Sequence, residues 1–300
     1  RLDQFTLQVL LDDEWHAVHQ VLRHGPASIV LELGHADFGI PLALYDWALV
    51  QTVGLSETAM RVPMMLCGLA TIVLFPLAVA PRIGRAEALA FALLLATSPL
   101  LVAFSQVARP YAINVFLGWV AHWAFLRYWK GSVRAGAVYA IATALVVWMH
   151  MVMAPFMLAP LAWAAWTIAR DGRGRRERLR HLVAIAAPTL AAIGLLLGPP
   201  LYFQLEAITG KSGFKALDLN TFRGAFHLWS GTSSTAVAVG TFALAAIGAP
   251  AVWRAVPETR TGALGLALTA AALAISRPEW GEVPSVFGRC QRRFPFPQRD

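Results

Sequence analysis

"AGAVYAIATALVVWMHMVMAPFMLAPLAWAAWTIA", residues 135–169, runs 35 residues without an Asp, Glu, Lys or Arg. As one helix it would be about 52 Å long at 1.5 Å per residue, whereas the hydrocarbon core of a bilayer is about 30 Å thick. It therefore reads as two crossings folded into a hairpin, with His150 and Pro155 near the bend. Arg127, Lys130 and Arg134 precede the hairpin and "RDGRGRRERLR" (170–180) follows it. Two crossings return the chain to the side it left, so both basic clusters share one side, as the positive-inside rule requires of short loops.

Working outward from that hairpin, apolar runs at 60–80, 86–105, 111–129, 135–152, 153–169, 182–204, 236–253 and 261–276 predict about eight spans. The expected fold class is all-α, a polytopic transmembrane helix bundle. Composition agrees: 57% hydrophobic, 14% charged and a mean hydropathy of +0.57, against about 25% charged residues in soluble domains. Arg82/Arg85 and Arg254/Arg260 fall between spans that place them on the same side as the other two basic clusters. The net charge of +8 is thus a topology signal. The arginines form no aromatic-studded basic face, so no nucleic-acid partner is expected. Cys67 and Cys290 supply neither a disulfide framework nor a CxxC zinc spacing.

Parity then assigns the remaining segments. Residues 1–59 form an extracytoplasmic loop with eight acids against Arg1 and Arg23, a net of −6, which leaves +14 for the rest. Residues 60–276 form the bundle in the plasma (inner) membrane. Within the loop, "FGIPLALYDWALVQTVGL" (38–55) is long enough to cross, but Asp46 at its centre would cost about 2.5–3.5 kcal/mol. It reads as an amphipathic helix lying in the interface, started by Pro41. From Arg277 to Asp300 the apolar periodicity is lost and the arginines would lie outside, so this tail is expected to be a truncation or frameshift scar. The chain opens on Arg1 with no charged-then-apolar leader, and an upstream segment is expected.

The chemistry concentrates in "LLDDEWHAVHQVL" (10–22). Asp12, Asp13 and Glu14 are either the cap and first-turn acids of a helix reaching about Arg23, or a site that handles a proton or a cation. Asp12, His16 and His19 share an i, i+4, i+7 spacing but match no zinc signature, so no metal or other cofactor is expected, a divalent cation being left open. Three further polar clusters fall on the same side: His35 and Asp37; Glu57 and Arg61; Ser105, Gln106, Arg109 and Tyr111. Each arginine is either a snorkelling anchor to lipid phosphate in general or a dock for one particular phosphate.

"LDDEWHAVH" (11–19), "HADFGIPLALYDWALVQTVGLSETAMRVPMMLCG" (35–68) and "ALLLATSPLLVAFSQVARPYAI" (92–113), in this order and spacing, resemble the GT-C polytopic glycosyltransferases. The group is glycosyltransferase family 39, the dolichyl-phosphate-mannose protein mannosyltransferase-like enzymes, and the resemblance covers about residues 11–128. It implies transfer of a sugar from a polyprenyl-phosphate donor to a lipid, glycan or protein acceptor outside the cytoplasm. The family's essential acidic pair falls on Asp13 and Glu14, with Asp12 as the alternative register. Its "HxPP"-like element is replaced here by His35-Ala36-Asp37, while "E…RxP" matches Glu57, Arg61 and Pro63, and "SQxARxY" matches Ser105, Gln106, Arg109 and Tyr111. The family starts with a helix before the acidic loop and runs past nine spans, which implies that this chain is a fragment.

The expected mechanism makes Asp13 the general base, Glu14 or Asp37 the group that orients the acceptor, and Arg109, then Arg61, the stabiliser of the leaving phosphate. Gln106 and Tyr111 complete the expected substrate contacts with His35. The loop 170–180 has no phosphate-binding turn leading into a helix, which argues against a cytoplasmic nucleotide-sugar donor. The alternative is a transporter or flippase of a lipid-linked substrate, for which the spans offer chiefly His122 and His150 and no evident repeat. His122, beside Trp119 and Trp123, reads as a packed interior histidine. A purely structural subunit is the third class.

Overall fold

The fold was derived from a computed structural model that describes Glu14, Val18, Val21, Leu22 and residues 25–31, 39–171, 174–210 and 219–275. After the helical residues Glu14, Val18, Val21 and Leu22 come two short helices, α1 (Pro26–Leu31) and α2 (Ile40–Gln51). Next come α3 (Glu57–Ile83), α4 (Arg85–Thr97), α5 (Pro99–Phe104), α6 (Tyr111–Trp129) and α7 (Val133–Met149). A 3₁₀ turn (Met151–Met153) leads to α8 (Ala154–Arg170), then α9 (Arg175–Gly210), α10 (Leu219–Ser230), α11 (Thr235–Ala255) and α12 (Glu258–Ile275). No strand occurs among the described residues.

The breaks follow backbone chemistry. Ser56 caps α3 by accepting from the Ala59 amide, with Glu57 in the first turn, where a carboxylate meets the positive end of the helix. Gly84, at φ 102°, ends α3 in a conformation that side chains resist. The expected hairpin is present: α7 stops at Met149, His150 turns to φ −157° and ψ 89°, and Pro155 enters at the start of α8. The run at 86–105, read as one span, is divided at Ser98–Pro99 into α4 and α5. Proline has no N–H to continue the ladder and pushes the residue before it toward extended backbone, here ψ 115° at Ser98.

Among the described residues, four helical segments are long and apolar enough to cross a membrane: Glu57–Ile83, Met151–Arg170, Arg175–Phe203 and Thr235–Ala255. Val133–Met149 is apolar but shorter. Their outward faces are greasy; Leu195, Leu244 and Ile247 are largely exposed, as expected of surfaces that meet lipid rather than water. At 12 residues α2 is about 18 Å long, too short to cross. It differs from the expected amphipathic helix, because Asp46 is turned into the protein and only 4% exposed.

The main core joins α6 to α9 through Phe125, Tyr139, Val146, Met157 and Ile185. The α6–α7 approach is close enough that a Cβ on Gly136 would lie 2.6 Å from the Tyr128 ring. Tyr128 donates to the His181 carbonyl (2.8 Å) and stacks on the His181 ring at 4.1 Å. A second core packs Val18 and Leu42 against Met60, Met64, Ala108, Ile113 and Met149. The bundle thus has two polar ends: one with Glu14, Arg61, Ser105–Tyr111 and His150, the other with Arg82, Arg127, Lys130, His181 and Glu258. Of the basic clusters, Arg82 lies with Arg127 and Lys130 around one pocket and pairs with Glu258 at 2.7 Å.

Candidate functional site

The site is built where the acidic segment meets the starts of α3 and α6. Glu14, Val18 and Val21 are helical and buried, spaced so that they share one inward face. The two valines enter separate apolar clusters and carry Glu14 inward with them. Arg61, one turn into α3, donates from Nε to Glu14 Oε1 (3.3 Å) and from Nη2 to Glu14 Oε2 (3.2 Å). The Ala108 N–H donates to the same Oε1. Arg61 is 1% exposed and Glu14 0%. Burying such a pair is tolerable only when the geometry is good and the lone pairs are satisfied, and a two-pronged guanidinium with a backbone amide meets both conditions.

The amide comes from the tight turn 105–110. Ser105 Oγ donates to the Leu101 carbonyl (2.6 Å), the Gln106 amide to Ala103 (2.9 Å) and the Arg109 amide to Val107 (2.8 Å). Pro110 then opens α6, a position where its missing N–H costs nothing. Ser105, Gln106 and Arg109 are all buried, at 1%, 9% and 8% exposure. The Arg109 guanidinium lies 5.8 Å from the centre of the Tyr111 ring. Tyr111 in turn packs on Phe104 (4.5 Å) and meets His150 edge-on (6.4 Å).

Asp46 is the residue that sequence reasoning missed as a site member. It faces the Glu14 charge from α2, and its pKa is pushed up to about 7, first by burial and second by Glu14. A proton on Asp46 relieves its repulsion with the Glu14 carboxylate. Its neighbour Tyr45 donates to the Ala59 carbonyl (2.8 Å), pinning α2 to the start of α3. The only signal in the sequence was a lone acid in an otherwise apolar helix.

From the Tyr111 end an apolar groove of about 680 Å³ runs along α6 toward Val256 and Glu258. Its walls include Phe75, Trp119, Phe156 and Leu266. Buried Asn114, one turn below Tyr111, lines it with an Oδ1 that has no partner among the described residues. Such an atom is costly unless a ligand or water donates to it. His122 is held on both nitrogens, 2.8 Å from Thr261 Oγ1 and 3.2 Å from the Phe156 carbonyl, which makes it a packing residue rather than a mobile proton carrier.

The sequence-derived site is therefore divided. Glu14, Arg61, Gln106, Arg109 and Tyr111 converge on one end of the bundle. Asp12, Asp13, His16, His19, His35 and Asp37 lie outside the described residues, as does the tail from Arg277. Glu14 has both oxygens engaged inside the protein, and Arg61 is buried against it. Among the described residues no cluster of His, Cys, Asp or Glu could hold a metal.

The chain matches no protein-family model, no curated protein and no solved structure.

Proposed function

We propose that the chain is a membrane glycosyltransferase of the GT-C, family 39 type, which moves a sugar from a polyprenyl-phosphate carrier to an acceptor hydroxyl outside the cytoplasm. The observation that carries this reading is the buried clamp of Glu14 by Arg61 and the Ala108 amide, set beside Arg109 and Tyr111 at the mouth of an apolar groove. The clamp brings together the three sequence elements on which the resemblance rests. The groove is lined like a site for an isoprenoid tail, and Asn114 offers it a hydrogen-bond acceptor near the Arg109 end.

In this reading α3, α4 with α5, α6, α7, α8, α9, α11 and α12 are the eight crossings of a multi-pass inner-membrane protein. The Glu14–Arg109 end is extracytoplasmic and the Arg82–Lys130 end cytoplasmic. Asp13 accepts the proton of the acceptor hydroxyl as its oxygen attacks the anomeric carbon. The bond from that carbon to the phosphate oxygen breaks with inversion, and Arg109 stabilises the polyprenyl phosphate that leaves. A positioned base contributes about 10²–10⁴-fold, and removing one preorganised electrostatic donor costs about 10²–10³-fold.

The test is transfer from polyprenyl-phosphate sugars in membranes holding the full chain. Asp13→Asn is expected to lose 10²-fold or more at unchanged protein level, and Arg109→Ala a comparable factor. Unchanged transfer by Asp13→Asn refutes the assignment of the base. Movement of lipid-linked sugar across the bilayer without transfer to any acceptor favours the flippase class instead.

A further inference from the structure

The end of the bundle opposite Glu14 carries a second cavity, of about 360 Å³, lined by Arg82, Trp123, Arg127, Lys130 and Ser132. We propose that this pocket binds the phosphate headgroup of an anionic phospholipid, with an acyl chain lying along the aromatic wall of α6. Three observations support it.

The first is charge. Arg82 is balanced by Glu258 (2.7 Å), whereas Arg127 and Lys130 have no carboxylate partner among the described residues. Two cations in one concavity without a counter-charge favour an anion, and the Ser132 hydroxyl adds a donor for its oxygens. The second is depth. Arg82 follows Arg61 along one continuous helix by about 31 Å at 1.5 Å per residue, close to the thickness of a hydrocarbon core. If one end of α3 meets one headgroup layer, this pocket lies in the other. Basic pockets between helices at that level are the recognised form of anionic-lipid sites.

The third observation selects a lipid over a free phosphate. The Arg127 guanidinium stacks 4.7 Å from the Trp123 ring. Trp123 stacks on Trp119 (6.3 Å) and Trp119 on Phe75 (4.3 Å). Trp119 and Phe75 line the apolar groove, so a single aromatic wall leads from the cations into hydrocarbon depth. A free anion would use only the polar end of that wall. The inference does not depend on the sugar-transfer reading; it needs only that this end meets a headgroup layer.

The test is native mass spectrometry of the full chain in detergent, titrated with phosphatidylglycerol and, separately, with phosphatidylcholine of the same chains. Wild type is expected to retain phosphatidylglycerol preferentially, and Arg127→Ala/Lys130→Ala to bind it about 30-fold more weakly, from about fivefold for each basic group at a charged surface. Arg175→Ala/Arg176→Ala, which removes two exposed cations from the first turn of α9, is expected to leave binding within about twofold. Equal retention of both lipids overturns the proposal, and so does an equal loss in both double variants, which would indicate non-specific charge. Inorganic phosphate that displaces phosphatidylglycerol at equal concentration overturns the lipid source and leaves a simple anion site. Asp13→Asn is expected to bind the lipid normally, so the fate of this pocket and that of the glycosyltransferase reading are read separately.

Discussion

Two arginine–glutamate pairs mark the two ends of this bundle, and they differ in what surrounds them. Arg61–Glu14 is sealed, with side-chain exposures of 1% and 0% and a backbone amide completing the carboxylate. Arg82–Glu258 is shorter, at 2.7 Å, but its arginine is 34% exposed, at the rim of a pocket that holds two further cations. The two pairs differ in screening, because water and salt reach the partly exposed Arg82 guanidinium but not the buried Arg61–Glu14 pair. The buried end fixes a shape; the open end presents charge.

That contrast breaks if Glu14→Ala is mild. Removing one member of a buried pair leaves the other charge stranded, and the expected loss is about 3–5 kcal/mol, read as a large drop in thermal unfolding temperature in detergent. Replacing both residues, as Glu14→Leu/Arg61→Met, is expected to recover much of that loss, because no charge is then stranded. A double variant as unstable as Glu14→Ala would mean that the Ala108 turn, rather than the charge pair, depends on Glu14.

Asp46 sharpens the same end by its pH dependence. Its folded pKa of about 7 lies above the unfolded value of about 3.8, so the folded state holds the proton more tightly. The sign follows: stability is greatest below about pH 4 as far as this group is concerned, and is lost as pH rises through 7, by at most about 4 kcal/mol. Unfolding temperature measured from pH 5 to 8 is expected to fall more steeply in wild type than in Asp46→Asn, whose amide needs no proton. Parallel profiles would show that Asp46 is not the group concerned. A smaller effect belongs to the open end, where Arg82→Ala leaves the Glu258 carboxylate, 4% exposed, beside a pocket that Arg127 and Lys130 also line, and is expected to cost less than Glu14→Ala and to matter less at high salt.

Much of this architecture was legible in the sequence for reasons of length and charge. A 35-residue uncharged run has to fold back on itself, and it does so at His150. Arginine clusters that share a side have to meet at one end, and Arg82, Arg127 and Lys130 do. The Ser98–Pro99 break was also readable, since a proline 13 residues into an apolar run interrupts a ladder whatever the hydropathy. Even the inward turn of Glu14 had a local sign, in valines four and seven residues on.

What the sequence could not disclose depended on distant partners. Asp46 is buried facing the charge of Glu14, 32 positions away, and no local pattern encodes that. The groove is assembled from residues as separate as Phe75, Tyr111, His150 and Leu266. Periodicity reports which face of a helix is apolar, not which apolar faces leave a gap between them. The burial of Arg61 belongs to the same kind, since a helix start gives no local sign that its arginine is sealed.

The central claim is that the sealed end faces outward and the basic end faces the cytoplasm. Single cysteines placed at Val53 and at Val133, 77% and 79% exposed near opposite ends, test it in a Cys67→Ala, Cys290→Ala background of the full chain. A membrane-impermeant thiol reagent applied to intact cells is expected to label Val53→Cys at once and Val133→Cys only after lysis. The reverse pattern would turn the bundle over, place Glu14 and Arg109 in the cytoplasm, and contradict transfer from a lipid-linked sugar outside.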